Sequence, residues 1–139
     1  MLSVMHARGL AHLDVKPDNI LQSRDQPDVY KLADFGLTTR RDMAWPVEEG
    51  DKRYLAAELL AGDHRNLQAA DIFSLGLTLY ELATGAELPG DGELYQRLRR
   101  GGRLQLPGLT DAFANQLQVR SLPPTEFCRA FAGACCMVL

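Results

Sequence analysis

Apolar residues crowd most densely into QAADIFSLGLTLYELATG, where Ile72, Phe73, Leu75, Leu77, Leu79, Tyr80 and Leu82 fall on nearly every side of a helical wheel. The spacing predicts a helix over roughly Ala69 to Ala83, stopped by Gly85. A helix apolar all round belongs at the centre of a fold, not on its surface. Near the N-terminus, Leu2, Val4 and Met5 suit a helical end within Met1 to Arg8, closed by Gly9. Two short runs, Ile20–Gln22 and Val29–Leu32, flank the turn-like Ser23-Arg24-Asp25-Gln26-Pro27-Asp28 and predict a hairpin-like pair of strands. From Gly36 to about Glu58 no period holds, and the stretch reads as a long, charged, proline-containing loop. Loops of such length inside a domain are usually functional or disordered. Asp91 is placed to cap a helix from Gly92 to Arg100, ended by Gly101-Gly102, and another is expected from Asp111 to about Val119. The apolar end, Ser121 to Leu139, opens on Pro123-Pro124 and is assigned no structure. Short strands followed by several helices predict a mainly α fold.

Composition narrows the classes. A chain of 139 residues, 46% apolar and 24% charged, fits one globular domain with a real core. Its formal charge of −3 argues against a general nucleic-acid binder, whose affinity rests on neutralising phosphates. No run of about 18 apolar residues exists to span a bilayer, and MLSVMHARGLAHLD lacks a secretory layout. The three cysteines, Cys128, Cys135 and Cys136, follow no disulfide framework, so an intracellular, reducing compartment is expected, nucleus or cytoplasm. His6 and His64 have no partners at metal-ligand spacing and read as surface residues.

Two clusters carry chemistry. The first is His12-Leu13-Asp14-Val15-Lys16-Pro17-Asp18-Asn19; the second is Asp34-Phe35-Gly36, directly after a strand candidate. Phosphoryl transfer needs a carboxylate to orient the attacking hydroxyl and cations to neutralise the phosphate oxygens. Asp14 suits the first task, and Lys16, two residues on, suits the second. Asn19 and Asp34 offer hard oxygen ligands of the kind magnesium takes, a nucleotide's phosphates completing its shell. Each motif alone is weak. Both in order, separated by a strand, a turn and a strand, are a strong signal.

Those residues make the chain resemble the C-terminal lobe of a eukaryotic protein kinase. HLDVKPDN resembles the catalytic loop, LADFG the magnesium-binding start of the activation segment, AAEL its closing A-P-E-like end, and ADIFSLGLTLYEL the buried central helix. Within that superfamily the chain is most similar to the Wee family, through HLDVKPDNI, PVEEGDKRYLAAE and DIFSLGLTLYELATG. The fold so implied is a kinase C-lobe, mainly α, with a short β-hairpin beside the catalytic loop and the N-lobe absent. It covers residues 1–117, leaving 118–139 as a divergent apolar tail.

The resemblance implies a protein kinase that moves the γ-phosphoryl of ATP to a protein hydroxyl, with Mg2+ as cofactor. Asp14 is then the catalytic base, Lys16 contacts the phosphate, and Asn19 and Asp34 hold magnesium. Asp71 should accept hydrogen bonds from the catalytic-loop backbone. The implied substrate is a tyrosine of a cyclin-dependent kinase in cell-cycle control. A serine/threonine kinase of another subfamily stays open, because Lys16 sits as in serine/threonine-type loops. A non-catalytic fragment acting as a binding module also stays open. Leu13 stands where most kinases carry the arginine that pairs with a phosphorylated activation loop, so that switch lacks its partner. Glu49 and Asp51 are candidates to hold the segment by fixed charge, with Lys52 or Arg53; a solvated acidic turn is the alternative.

Several features depart from the pattern. No G-x-G-x-x-G loop and no V-A-I-K-type lysine occur, and by the resemblance Met1 falls in the middle of helix E. The chain is therefore expected to be truncated and inactive alone, since nucleotide positioning supplies most of this catalysis. Glu58 has no recognisable arginine partner, and such a carboxylate, if buried unpaired, would cost on the order of 3–5 kcal/mol. Cys136-Met137-Val138-Leu139 fits a prenylation pattern, but no polybasic stretch supports it. Arg97, Arg99, Arg100 and Arg103 form a basic run, either a solvated face or a docking surface for protein substrates.

Overall fold

The computed structural model describes residues 2–40, 42 and 47–100. Its elements in order are α1 (Leu2–Ala7), β1 (Leu10–Ala11), a 3-10 turn (Pro17–Asn19), β2 (Ile20–Gln22), β3 (Tyr30–Leu32), β4 (Thr39–Arg40), α2 (Ala57–Leu60), α3 (Leu67–Thr84) and α4 (Gly92–Arg99). Two antiparallel ladders, β1 with β4 and β2 with β3, accompany the helices.

The organising element is α3. Asn66 caps it, its side chain accepting from the Ala69 N–H, and Gly85 ends it in the left-handed conformation at φ 65°, which glycine adopts without steric cost. Three apolar clusters lie around it. Leu67 and Ala70 join Ala11, Leu13, Leu55, Ala56 and Leu59. Leu77 joins Tyr54, Leu88 and Leu98. Leu75 joins Leu2, Val15 and Leu32. One helix thus feeds every cluster, as its all-round apolar pattern requires. Ser74 and Thr78 sit inside it without loss because their hydroxyls donate to the Ala70 and Ser74 carbonyls one turn back. Expected burial on every side fails at the C-terminal end, where Leu82 is 59% exposed.

The hairpin forms where expected, with Ile20 opposite Leu32 and Gln22 opposite Tyr30. α1 ends at Ala7, and the turn that follows it closes on Gly9, whose φ is 73°. The expected loop from Gly36 to Glu58 needs correcting: Thr39–Arg40 pairs with Leu10–Ala11, and α2 begins at Ala57. Two-residue strands are too short to show a period, so only pairing across the fold reveals them. Asp91 precedes α4 as expected, but its side chain makes no capping hydrogen bond. The expected helix from Asp111, the tail, Arg103 and the C-terminal cysteine pattern lie outside the described residues. Among the described residues no helix is long and apolar enough to cross a membrane.

Candidate active site

The loop from His12 to Asn19 is held from beneath by Asp71. That carboxylate is fully buried on α3 and accepts from the backbone N–H of His12 and of Leu13, each at 2.8 Å. The His6 Nε2, on α1, reaches the same carboxylate at 2.8 Å, so His6 is part of the loop's foundation and not a free surface residue. With both N–H groups committed downward, Leu13 turns through φ 67°. Such a backbone is costly for leucine and persists because its surroundings fix it. The Leu13 side chain is 4% exposed, packed with Leu55, Ala56 and Leu59. An apolar residue at this position therefore serves the core.

Above that anchor the polar groups converge on Asp14. Lys16 Nζ lies 2.8 Å from Oδ2. Asn19 Nδ2 donates to Oδ2 and to the Asp14 carbonyl, both at 2.8 Å. The Asp51 N–H donates to Oδ1 at 3.3 Å. Burial alone would raise the Asp14 carboxyl; the Lys16 ammonium, the Asp51 N–H and the Asn19 amide outweigh it and hold it below its ordinary value. Lys16 is raised in turn, chiefly by its hydrogen bond to Asp14.

Asp34 joins this group through the backbone. Ala33 N–H donates to the Asn19 carbonyl at 2.8 Å, and His12 Nε2 meets the Ala33 carbonyl at 3.1 Å. His12 Nδ1 accepts from the Asp14 N–H, which leaves the ring proton on Nε2 for that carbonyl. The Phe35 ring stands edge-on to His12, centroids 5.4 Å apart, although 54% of Phe35 is exposed. Asp34 itself adopts φ 58° and accepts from the Gly36 N–H. Among the described residues its carboxylate forms no side-chain hydrogen bond to Asp14, Lys16 or Asn19. Three of the four expected site residues thus touch one another, and the fourth is fixed beside them by main chain.

Comparison with known proteins shows which family carries this sequence. A family model described as the protein kinase domain matches residues 1–121. The chain belongs to the protein kinase family. It is 44% identical over 117 residues to a Wee1-like protein kinase of Oryza sativa subsp. japonica, covering 84% of this chain and 22% of that protein. To the mitosis inhibitor protein kinase mik1 of Schizosaccharomyces pombe (strain 972 / ATCC 24843) it is 42% identical over 120 residues, 86% of this chain and 20% of the relative. A membrane-associated tyrosine- and threonine-specific cdc2-inhibitory kinase of Drosophila melanogaster is 47% identical over 102 residues, covering 72% and 19%. The kinase-domain chain spans about a fifth of the length of these curated relatives.

What the residue pattern alone missed is the floor of the site. Gly50 packs so tightly that a Cβ there would lie 2.5 Å from Asp14 Oδ1 and 2.6 Å from the Leu13 carbonyl. The Gly50-Asp51 pair stood out in the sequence, but nothing there tied it to Asp14. Asp51 is in turn fixed by Arg53, whose Nε and Nη2 both bond its carboxylate, so fixed charge does hold this segment. Glu49 meets His64 at 3.1 Å. Glu58 is half-buried at the start of α2, and no side chain of the described residues pairs with it. Because water still reaches it, the cost of a buried unpaired carboxylate does not arise.

Two expectations follow. Gly50→Ala should destabilise the chain by about 1–3 kcal/mol, since backbone or Asp14 must move to admit the methyl group. Urea denaturation would show it, and an unchanged midpoint would mean the segment yields freely. Acid should act on the same contacts. Asp14 is depressed as described, and Asp51 is depressed chiefly by its hydrogen bond from Arg53. Their stabilisation is fully present above the unfolded-state value of about 3.9 and is lost as pH falls through the lower folded-state values. Denaturation midpoints should therefore hold from neutrality to about pH 5 and drop below about pH 4. Asp51→Asn should flatten part of that drop.

Proposed function

We propose that residues 1–117 are the C-terminal lobe of a Wee-like protein kinase, with 118–139 a divergent tail. The complete enzyme would transfer the ATP γ-phosphoryl to a tyrosine of a cyclin-dependent kinase, acting in the nucleus or cytoplasm. The observation that carries this reading is the convergence of Lys16, Asn19 and the Asp51 N–H on a single depressed carboxylate, Asp14. Such a group is ionised at neutral pH and aimed by three partners, as a residue that orients an acceptor hydroxyl must be. Lys16 supplies the cation that balances phosphoryl charge.

The residues also fit magnesium. Asn19 must turn its Nδ2 toward the Asp14 oxygens, which leaves Oδ1 as an acceptor for a cation. Asp34 is exposed, and among the described residues only its Oδ1 is engaged, by the Gly36 N–H. No group of three or more His, Cys, Asp or Glu suited to a metal occurs among the described residues. A two-ligand site completed by phosphates is what magnesium uses with nucleotides. Bound there, magnesium would neutralise the phosphate charge while the loop orients the acceptor.

The test uses the native protein that carries these residues, with magnesium-ATP and a cyclin-dependent kinase disabled in its own activity. Phosphotyrosine on that substrate is expected. Phosphoserine or phosphothreonine alone would replace the tyrosine reading with a serine/threonine kinase. The absence of transfer together with no magnesium-ATP shift in melting temperature would favour a non-catalytic binding module. The shift should disappear in Asp34→Asn.

A further inference from the structure

Within the basic run on α4, Arg97 and Arg100 are exposed, and Arg99 is not. Its guanidinium has no carboxylate partner among the described residues. It lies over the Tyr95 ring, 3.5 Å from the centroid, and donates to the carbonyls of Tyr95, Lys52 and Arg53 at 3.2, 2.8 and 3.0 Å. The Tyr95 hydroxyl adds a bond to the same Lys52 carbonyl at 3.3 Å. Nε is buried without a partner, and burial lowers the Arg99 pKa below its ordinary value. A solvated charge run shows none of these features. A half-buried arginine that binds three main-chain carbonyls is a clamp, because bonds from a charged donor are about twice as strong as neutral ones.

What it clamps adjoins the site. Lys52 and Arg53 directly follow Asp51, whose N–H holds Asp14 Oδ1. The Arg53 side chain closes on the Asp51 carboxylate, making a tight turn of this segment. Tyr54, next along, is buried in one cluster with Leu98 of α4 and Leu77 of α3. Ser74 donates to the Tyr54 carbonyl from below at 2.9 Å. α4 therefore grips the segment by apolar packing at Leu98 and by polar bonds at Tyr95 and Arg99.

We infer that Arg99 is a positioning residue for Asp14: by holding the Lys52 and Arg53 carbonyls it keeps the Asp51 N–H seated on the Asp14 carboxylate. The last turn of α4 and the catalytic loop are then mechanically one unit. The inference deepens the proposed function, since it gives Asp14 its importance by that reading.

The test is made on the 139-residue chain, comparing wild type with Arg99→Met and Arg99→Lys. Amide hydrogen exchange is followed at Asp51 to Tyr54 and, as the fold's own reference, at Leu75 to Thr78 in α3. Arg99→Met is expected to speed exchange in the first group at least about 10-fold with the second unchanged, in keeping with local opening. The Asp14 carboxyl 13C shift, read at one neutral pH, should change as its amide partner loosens. Arg99→Lys, which reaches one carbonyl at a time, should fall between. Unchanged exchange at Asp51, or equal acceleration in α3, would overturn the inference. If Arg99→Met does not fold, Arg99→Lys decides by the same two readouts. Neither readout needs ATP or phosphoryl transfer. A chain that shows both effects while the native protein transfers no phosphate would sink the kinase reading and leave the coupling standing.

Discussion

Asp71→Ala is expected to lower the free energy of unfolding by about 3–5 kcal/mol, the usual result of breaking a buried, hydrogen-bonded charge. Asp71 is fully buried and accepts from His12 N–H, Leu13 N–H and His6. Removing it takes the acceptor from two buried backbone donors, each at a cost of about 1–3 kcal/mol. With that acceptor gone, Leu13 keeps its core packing but loses the bond that fixes its N–H at φ 67°, so the loop should loosen and carry Asp14 with it. Against a total stability of about 5–15 kcal/mol such a loss is severe. Calorimetry should find the melting temperature lower by about 6–20 °C, at roughly 2–4 °C per kcal/mol, the scale for domains near 150 residues. Asp71→Asn keeps one acceptor oxygen and should cost about half as much. A loss below about 1 kcal/mol in Asp71→Ala would mean that the loop is shaped by its own sequence and the aspartate merely follows.

Asp14→Asn should separate chemistry from folding. Asparagine keeps an oxygen for the Asp51 N–H but replaces Oδ2, the acceptor of Lys16 and Asn19 Nδ2, with a donor; Asn19 keeps the Asp14 carbonyl, while the charge and the lone pairs that would take a proton are lost. Phosphoryl transfer by the native protein is expected to fall about 10²–10⁴-fold, the range general-base groups contribute. Stability should change by no more than about 1 kcal/mol, because the lost Lys16 pair is partly exposed to solvent. Steady-state kinetics beside a urea titration would show both. Transfer within about 10-fold of wild type would remove Asp14 from the catalytic role and leave it a structural hub of the loop. The contrast with Asp71 is the informative part: one carboxylate is expected to govern the fold and the other the reaction, though both lie on the same loop system.

The elements were largely legible in the residues. The apolar pattern centred on Ile72 to Leu82 and the glycine at 85 marked α3, and the turn between Gln22 and Val29 marked the hairpin. These signals are local: a cap, a left-handed glycine or a hydrophobic period acts within a few residues. The meeting of Asp14, Lys16 and Asn19 has a related reason, since all three lie within six positions on one loop. β1 and β4 were not legible, because two residues carry no period and the pairing alone makes them strands.

The partners of the buried polar groups were decided only by the tertiary structure. His6 read as a surface residue, and its bond to Asp71 spans 65 positions. The Asp51 N–H reaches Asp14 across 37 positions, and Arg99 reaches the Arg53 carbonyl across 46. Nothing within a short window of sequence distinguishes an arginine in water from one sealed against main-chain carbonyls. That distinction belongs to packing around α3, which chooses the groups that lose water and so must find one another. By itself, then, the sequence marked α1, α3, α4, the hairpin and a set of candidate site residues, because turn and period rules are local. The tertiary structure decided how that chemistry is aimed, because desolvation and the hydrogen bonds it forces exist only once the chain has closed on itself.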